Sequence, residues 1–246
     1  MRLLVAAALA AFIATTAQAA ELTVLAPGFV ANAGIKDLAE SYEKETGVKV
    51  TIKSVGMGAM MDTIKTGAAD IVMLPQNLMD DLAKDNGLVG GSRKPLGRVQ
   101  IGLIVAAGAP HPDISTVAKL AIALKSAKNV AYSSPFRDEK SMQAMIIHEI
   151  LQKPEFAGVH ADIIEKGNAV NGIKQGADMG LQLVCETRDP AVSLVGNLPE
   201  SLHAWIDGDV AVSSRAADAK AAQAFVAYIL KPAAAPVWKA KGLDRP

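Results

Sequence analysis

The stretch Ser54–Leu74, "SVGMGAMMDTIKTGAADIVML", decides how the rest of the chain is read. An alternating apolar run ends at Val55, Gly56 and Gly58 follow, and Ala59–Lys65 take up helical spacing. A second apolar run, "ADIVML", comes next. Strand, glycine loop, helix and strand in that order make a βαβ unit, whose two strands run parallel. The loop is then a nucleotide cradle, a backbone grip on another ligand, or a tight turn. A dinucleotide fingerprint needs a third glycine where Met61 stands, and the loop follows the second strand rather than the first. The pattern G-x-x-x-x-G-K-[ST] is absent. Nucleotide binding is set aside, and the turn and the backbone grip remain.

Outward from this unit, strands and helices keep alternating. "ELTVLAP" reads as a strand, and Gly34–Lys44 carry Ile35, Leu38, Ala39 and Tyr42 at helical spacing. "NLMDDLAKDNGLV" reads as a helix closed by Gly87, and "SRKPLGRVQIGLIVAAGAP" holds a long apolar strand. Helices are expected over Ile114–Ser126, Glu139–Leu151, Ala169–Gln175 and Ala216–Leu230. Strands are expected at "NVAYSS", "MGLQLVCE" and "DGDVAVSS". The pattern predicts an α/β protein with mainly parallel sheets covered by helices on both faces. Ligands in such sheets sit beyond the carboxyl ends of strands.

Several strand-to-helix loops share small or turn-forming residues: "APGF" (26–29), "VGMGA" (55–59), "LPQN" (74–77) and "YSSPFRDEKS" (132–141). Backbone N–H groups at helix starts suit an anionic group without any side-chain cation. The candidate ligand-binding residues are therefore Pro27, Gly28, Phe29, Gly56, Met57, Gly58, Ala59, Pro75, Gln76, Ser133, Ser134, Arg137, Ser141 and Glu186. Arg137 either clamps a carboxylate bidentately or stands in solvent beside Asp138 or Glu139. Met57 is expected near the pocket, with Met60 and Met61 structural.

The chain opens "MRLLVAAALAAFIATTAQAAEL": a basic start at Arg2, an apolar stretch Leu3–Ala14, and a small-residue site Ala17-Gln18-Ala19. That is the layout of a cleaved signal peptide over residues 1–19, with a free periplasmic product and no cysteine placed for a lipid anchor. The remaining ~225 residues suffice for one large domain or two lobes of roughly 100 each. Lys and Arg number 25 and Asp and Glu 25, which excludes the basic field that nucleic acid or an anionic membrane requires. A lone cysteine, Cys185, allows no internal disulfide, so the core must hold the fold.

Catalytic signatures are sparse. G-x-S-x-G, H-E-x-x-H and C-x-x-C are absent, and His111, His148, His160 and His203 sit singly. An exported hydrolase using a serine or Cys185 is the rival reading. Cys185 at the end of an apolar strand is more simply core. No metal and no cofactor is expected.

The whole mature chain resembles the periplasmic molybdate-binding-protein-like group of ABC-importer solute receptors. The resemblance rests on "LTVLAPGFVANAGIKDLAESYEKETGVKV", on "GMGAMMDTIKTGAADIVML" with its G-A-x-D, on "GLQLVCE" and "LVGNLPESL", and on the closing "AAQAFVAYILKPAAAPVWKAKGLD". It implies a two-lobed periplasmic binding fold of type II. Lobe 1 would be residues 20–98 plus 197–246 and lobe 2 residues 99–196, joined by a hinge crossed twice. It further implies a monomer that closes over a small ligand and passes it to a membrane permease. In molybdate binders, two serine hydroxyls from the first two loops hold the oxyanion. The matching positions here are Gly28 and Met57, neither of which has a hydroxyl. Ser134 and Ser141 remain as donors and Glu186 as an acceptor, a set better suited to a ligand with a hydrogen-bond donor and some apolar body. The expected ligand is accordingly a molybdate-like oxyanion or a small organic acid.

Overall fold

A computed structural model describes residues 21–67, 69–137 and 141–246, with only the backbone described at Met57 and Gly58. The expected signal peptide and the Asp138-Glu139 pair lie outside the described residues.

The expected alternation starts as β1 (Glu21–Ala26), α1 (Gly28–Ala31), α2 (Ile35–Thr46), β2 (Lys49–Ser54), α3 (Met57–Lys65), β3 (Ile71–Pro75) and α4 (Gln76–Lys84). A long strand, β4 (Lys94–Ala106), leads to α5 (Val117–Ser126), β5 (Val130–Ser133), α6 (Met142–Leu151), β6 (Ala161–Ile164), α7 (Ala169–Lys174) and β7 (Met179–Leu183). The chain finishes with β8 (Val192–Asn197), β9 (Trp205–Val212), α8 (Ala219–Leu230), α9 (Ala235–Ala240) and β10 (Leu243–Asp244).

The strands join in the order β2-β1-β3-β9-β4-β7-β5-β6, with β8 and β10 also paired to β4. The parallel pairings lie toward the two ends: β1 with β2 and β3, and β5 with β6 and β7. Through the middle, β9 runs antiparallel to both β3 and β4, and β7 and β8 run antiparallel to β4. Along β4 the partners change. Lys94–Gln100 pair with β9, and Ile101–Val105 pair with β7. Residues from Val99 through Val105 are buried apart from the half-buried Gln100, which is why this strand reads as a nearly unbroken apolar run.

One core cluster gathers side chains from both halves of the sheet, among them Leu22, Phe29, Ile101, Tyr132, Leu183 and Trp238. Trp238 is fully buried and donates its indole N–H to the Ile229 carbonyl at 2.9 Å. Asp70, the acid of the G-A-x-D stretch, takes a structural place. Its carboxylate accepts from the Thr23 N–H and the Ala217 N–H, both at 2.8 Å, tying β1 to the entrance of α8. Asp80 and Asp81 fall mid-helix in α4 rather than in a first turn, and pair with Arg93 and Lys84.

Within β4, Leu96 is an extra residue between the pairs Pro95–Asp209 and Gly97–Gly208, and Gly97 has φ +149°. A Cβ there would stand 2.5 Å from the Asp244 carbonyl oxygen and 2.4 Å from a Leu243 methyl. Gly97→Ala should therefore cost about 1–3 kcal/mol through loss of β10 packing, measured by urea unfolding. Asp70→Ala strands two N–H groups and should cost about 2–4 kcal/mol in the same assay.

Candidate functional site

The helices that follow β1, β2 and β3 begin without a side-chain cap, because Pro27, Gly56 and Pro75 occupy the N-cap positions. Their first-turn N–H groups have no acceptor within their own helix. By contrast, α5, α6, α7 and α8 are capped by Thr116, Ser141, Asn168 and Asp218. Ser141 accepts from the Ala144 N–H at 3.3 Å, and a hydroxyl that accepts can also donate.

Three of these features meet in a cleft of about 140 Å³. One side is lined by Pro27, Gly28 and Phe29 from the β1–α1 junction, by Pro75 and by Ile206. The other is lined by Ser141, Met142 and Gln143 at the start of α6, and by Leu183 and Glu186 after β7. Hollows of about 390, 380 and 420 Å³ exist elsewhere, each lined from one half of the sheet alone. The small cleft draws on both halves, and its size fits a ligand well below the drug-sized compounds that fill pockets of ~300–1,000 Å³.

Glu186 is the charged residue among those lining the cleft. Asn32, at the end of α1, donates to its Oε1 at 3.3 Å, and the Gln182 side-chain amide donates to its Oε2. Gln182 is fully buried in β7; its Oε1 accepts from Gln143 Nε2 at 3.1 Å and from the Ala169 N–H at 3.2 Å. Burial pushes the Glu186 carboxyl above its ordinary value, against the opposing pull of the Asn32 and Gln182 hydrogen bonds.

The cleft thus brings together six of the sequence-derived candidates: Pro27, Gly28, Phe29, Pro75, Ser141 and Glu186. Gln76 turns away, donating to Asp209 at 3.2 Å beside Arg93. Gly56 and Ala59 start α3 outside the cleft lining, and Ala59 is exposed. For Met57 and Gly58 the backbone alone is described, in the first turn of that helix. Met60 is fully buried, as expected of a structural methionine. Ser133 is buried at the end of β5, and the fully buried Ser134 accepts from the Phe136 N–H at 3.3 Å. Arg137 is half-buried and is not among the residues lining the cleft. It donates to the carbonyls of Ile164 and Gly167, the latter at 2.7 Å. Asn32, Gln143 and Gln182 were missed. The available signal was Gln182, a lone amide inside the apolar strand "MGLQLVCE".

Cys185 is 2 % exposed, and burial together with the neighbouring Glu186 charge pushes its thiol up, far from a reactive thiolate. The expectation of core is met, and the hydrolase reading loses its thiol. His148 shares a hydrogen bond of 2.9 Å between its Nδ1 and the Tyr132 hydroxyl. Among the described residues, no group of three or more His, Cys, Asp or Glu is placed to hold a metal, and no helix is long and apolar enough to cross a membrane.

Two outcomes follow from these environments. Cys185 should resist thiol reagents such as Ellman's until the chain is unfolded, read by absorbance with and without denaturant. Folding raises the Glu186 carboxyl above 4.5, so the folded chain binds more protons and loses stability as pH climbs from about 4.5 through the raised value. The parent should therefore unfold at lower urea as pH rises from 4.5, and Glu186→Gln, which cannot titrate, should flatten that trend whatever constant offset its amide introduces against the Asn32 and Gln182 donors.

Residues 22–244 match the family model described as bacterial extracellular solute-binding protein. An aconitate isomerase from a Pseudomonas species is 29% identical over 90% of this chain and 87% of its own length. The molybdate-binding protein ModA of Azotobacter vinelandii is 29% identical over 97% of this chain and 96% of its own. Among solved structures, the substrate binding domain of a putative molybdenum ABC transporter from Clostridium difficile superposes with a TM-score of 0.76. It is 19% identical, over 93% of this chain and 100% of that one. Its fold, like the sheet described above, is of the two-lobed type II periplasmic binding class. By the match across nearly its whole length, the chain belongs to the bacterial extracellular solute-binding protein family.

Proposed function

We propose that the chain is a periplasmic receptor that captures a small anionic ligand, a molybdate-like oxyanion or a small organic acid, and delivers it to the permease of an ABC importer. The supporting observation is the two-sided cleft, in which loops from both halves of one sheet meet around about 140 Å³. Residues 20–98 with 197–246 form the first lobe in this reading and residues 99–196 the second. The hinge runs through β4 near Gln100 and through the segment between β8 and β9, where strand partners change. A ligand held by both walls at once binds the closed form more tightly, and so shifts the population toward closure. The protein works as a monomer, since one chain supplies both walls.

The ligand site in this reading comprises Pro27, Gly28, Phe29, Pro75, Ser141 and Glu186, joined by Asn32, Gln143 and the first-turn amides of α6. A panel of oxyanions and carboxylates in a thermal-shift assay tests it. A true ligand at 100 times its Kd adds roughly 2.7 kcal/mol of stability. Solution scattering should register compaction with that same ligand. Failure of every anion to stabilise the protein sinks the reading.

One observation favours a second reading. A carboxyl pushed up by burial and set in a cleft has the character of a proton-transferring group. A relative of 29% identity is named aconitate isomerase. Catalysis on an unsaturated acid would appear as interconversion of cis- and trans-aconitate by the purified protein, abolished in Glu186→Gln.

A further inference from the structure

The cleft carries a more specific message about its ligand, one that rests on the receptor reading above. Gln182 cannot turn its amide over. The Ala169 N–H is a backbone donor at the start of α7 and only an oxygen can face it, so Gln182 Oε1 is fixed at 3.2 Å from it. Gln143 Nε2 donates to the same oxygen at 3.1 Å. The Gln182 Nε2 is thereby aimed at Glu186 Oε2, while Asn32 Nδ2 approaches Glu186 Oε1 from the opposite wall. Both carboxylate oxygens meet donors on their protein side, which fixes them as acceptors even though burial outweighs these bonds and raises the carboxyl.

Around that carboxylate, the described residues lining the cleft bring no positive charge. Gly28 has no side chain, and a Cβ there would stand 3.8 Å from Glu186 Oε1, leaving the carboxylate approachable from the cleft. Donors for an anion lie on the α6 wall: the Ser141 hydroxyl and the Met142 and Gln143 N–H groups, at the start of a ten-residue helix. A tetrahedral dianion entering here would face a carboxylate with no counter-charge supplied by the lining residues. A ligand that is anionic at one end and bears a donor at the other satisfies the α6 amides with one end and Glu186 with the other, while Pro27, Gly28 and Phe29 face it from the opposite wall.

We infer that Glu186 is a specificity-determining residue that selects a small hydroxy acid. The ligand carboxylate docks at the start of α6, and the ligand hydroxyl donates to Glu186. A fully deprotonated oxyanion is rejected at the same carboxylate.

Titration calorimetry on the purified protein with matched pairs tests this: glycolate against acetate, each enantiomer of lactate against propionate, and of malate against succinate, with molybdate alongside. In at least one pair the hydroxylated member should bind at least about tenfold tighter, the worth of one charge-assisted hydrogen bond. Molybdate should bind more weakly than that hydroxy acid. Glu186→Gln, which keeps the shape and removes the charge, should bring the pair within about threefold. If anions bind but the paired members bind alike, or molybdate binds tightest, the inference is overturned while the receptor reading stands. If no anion in the panel binds, both fall. The paired comparison in the parent protein decides the matter even if the variant does not fold.

Discussion

The thirteen residues of β4 are hydrogen-bonded to β9 and β10 along their first part and to β7 and β8 along their second. Each backbone N–H and C=O in a buried strand needs a partner, so neither half of the sheet can complete its pairing without this strand. That shared strand keeps the two halves in register with each other. It also places the carboxyl end of β7, carrying Glu186, opposite the junction of β1 and α1. The cleft is a geometric result of one strand serving two sets of neighbours.

Within the cleft, polar groups are few and each is held by something stiffer than itself. A backbone N–H orients Gln182, Gln182 orients Glu186, and α1 presents Asn32 to the same carboxylate. Phe29 lies against the bare backbone of Gly208, its ring atoms 3.2 and 3.3 Å from where a Cβ would stand, which fixes the loop bearing Gly28. Arg188 adds a tie on one side, donating to the carbonyls of Asn32 at 3.0 Å and Lys241 at 2.7 Å. Such pre-arrangement lowers the ordering cost that a small ligand must offset from few contacts.

The order of strands and helices was legible in the sequence because apolar periodicity is local. Leu22, Val24 and Ala26 alternate inward, and Ile35, Leu38, Ala39 and Tyr42 share one helical face, all of them buried. Short β6 and β8 escaped notice: residues such as Asp162, Ser193 and Asn197 dilute their pattern, and their pairing is decided by neighbours distant in sequence. The antiparallel middle of the sheet was hidden for the same reason, since β9 enters it from far along the chain. Loop composition pointed to Pro27–Phe29, Pro75 and Ser141, which line the cleft, but equally to Gln76 and Arg137, which do not. The direction of those two side chains depends on Asp209 and on the carbonyls of Ile164 and Gly167, which belong to other elements. Gln182 went unremarked because its partners come together through the sheet.

The last residues of the chain complete pairings begun by the first. β3 needs β9 as its second neighbour, and β10 adds the final rung on β4 beside Gly97. Arg245, next to last, donates to the carbonyls of Leu96 and Leu230. A polypeptide emerging amino end first therefore holds β3 without its second neighbour until β9, far along the chain, has been synthesised. Long loops must close before those contacts form, which slows collapse to the native state.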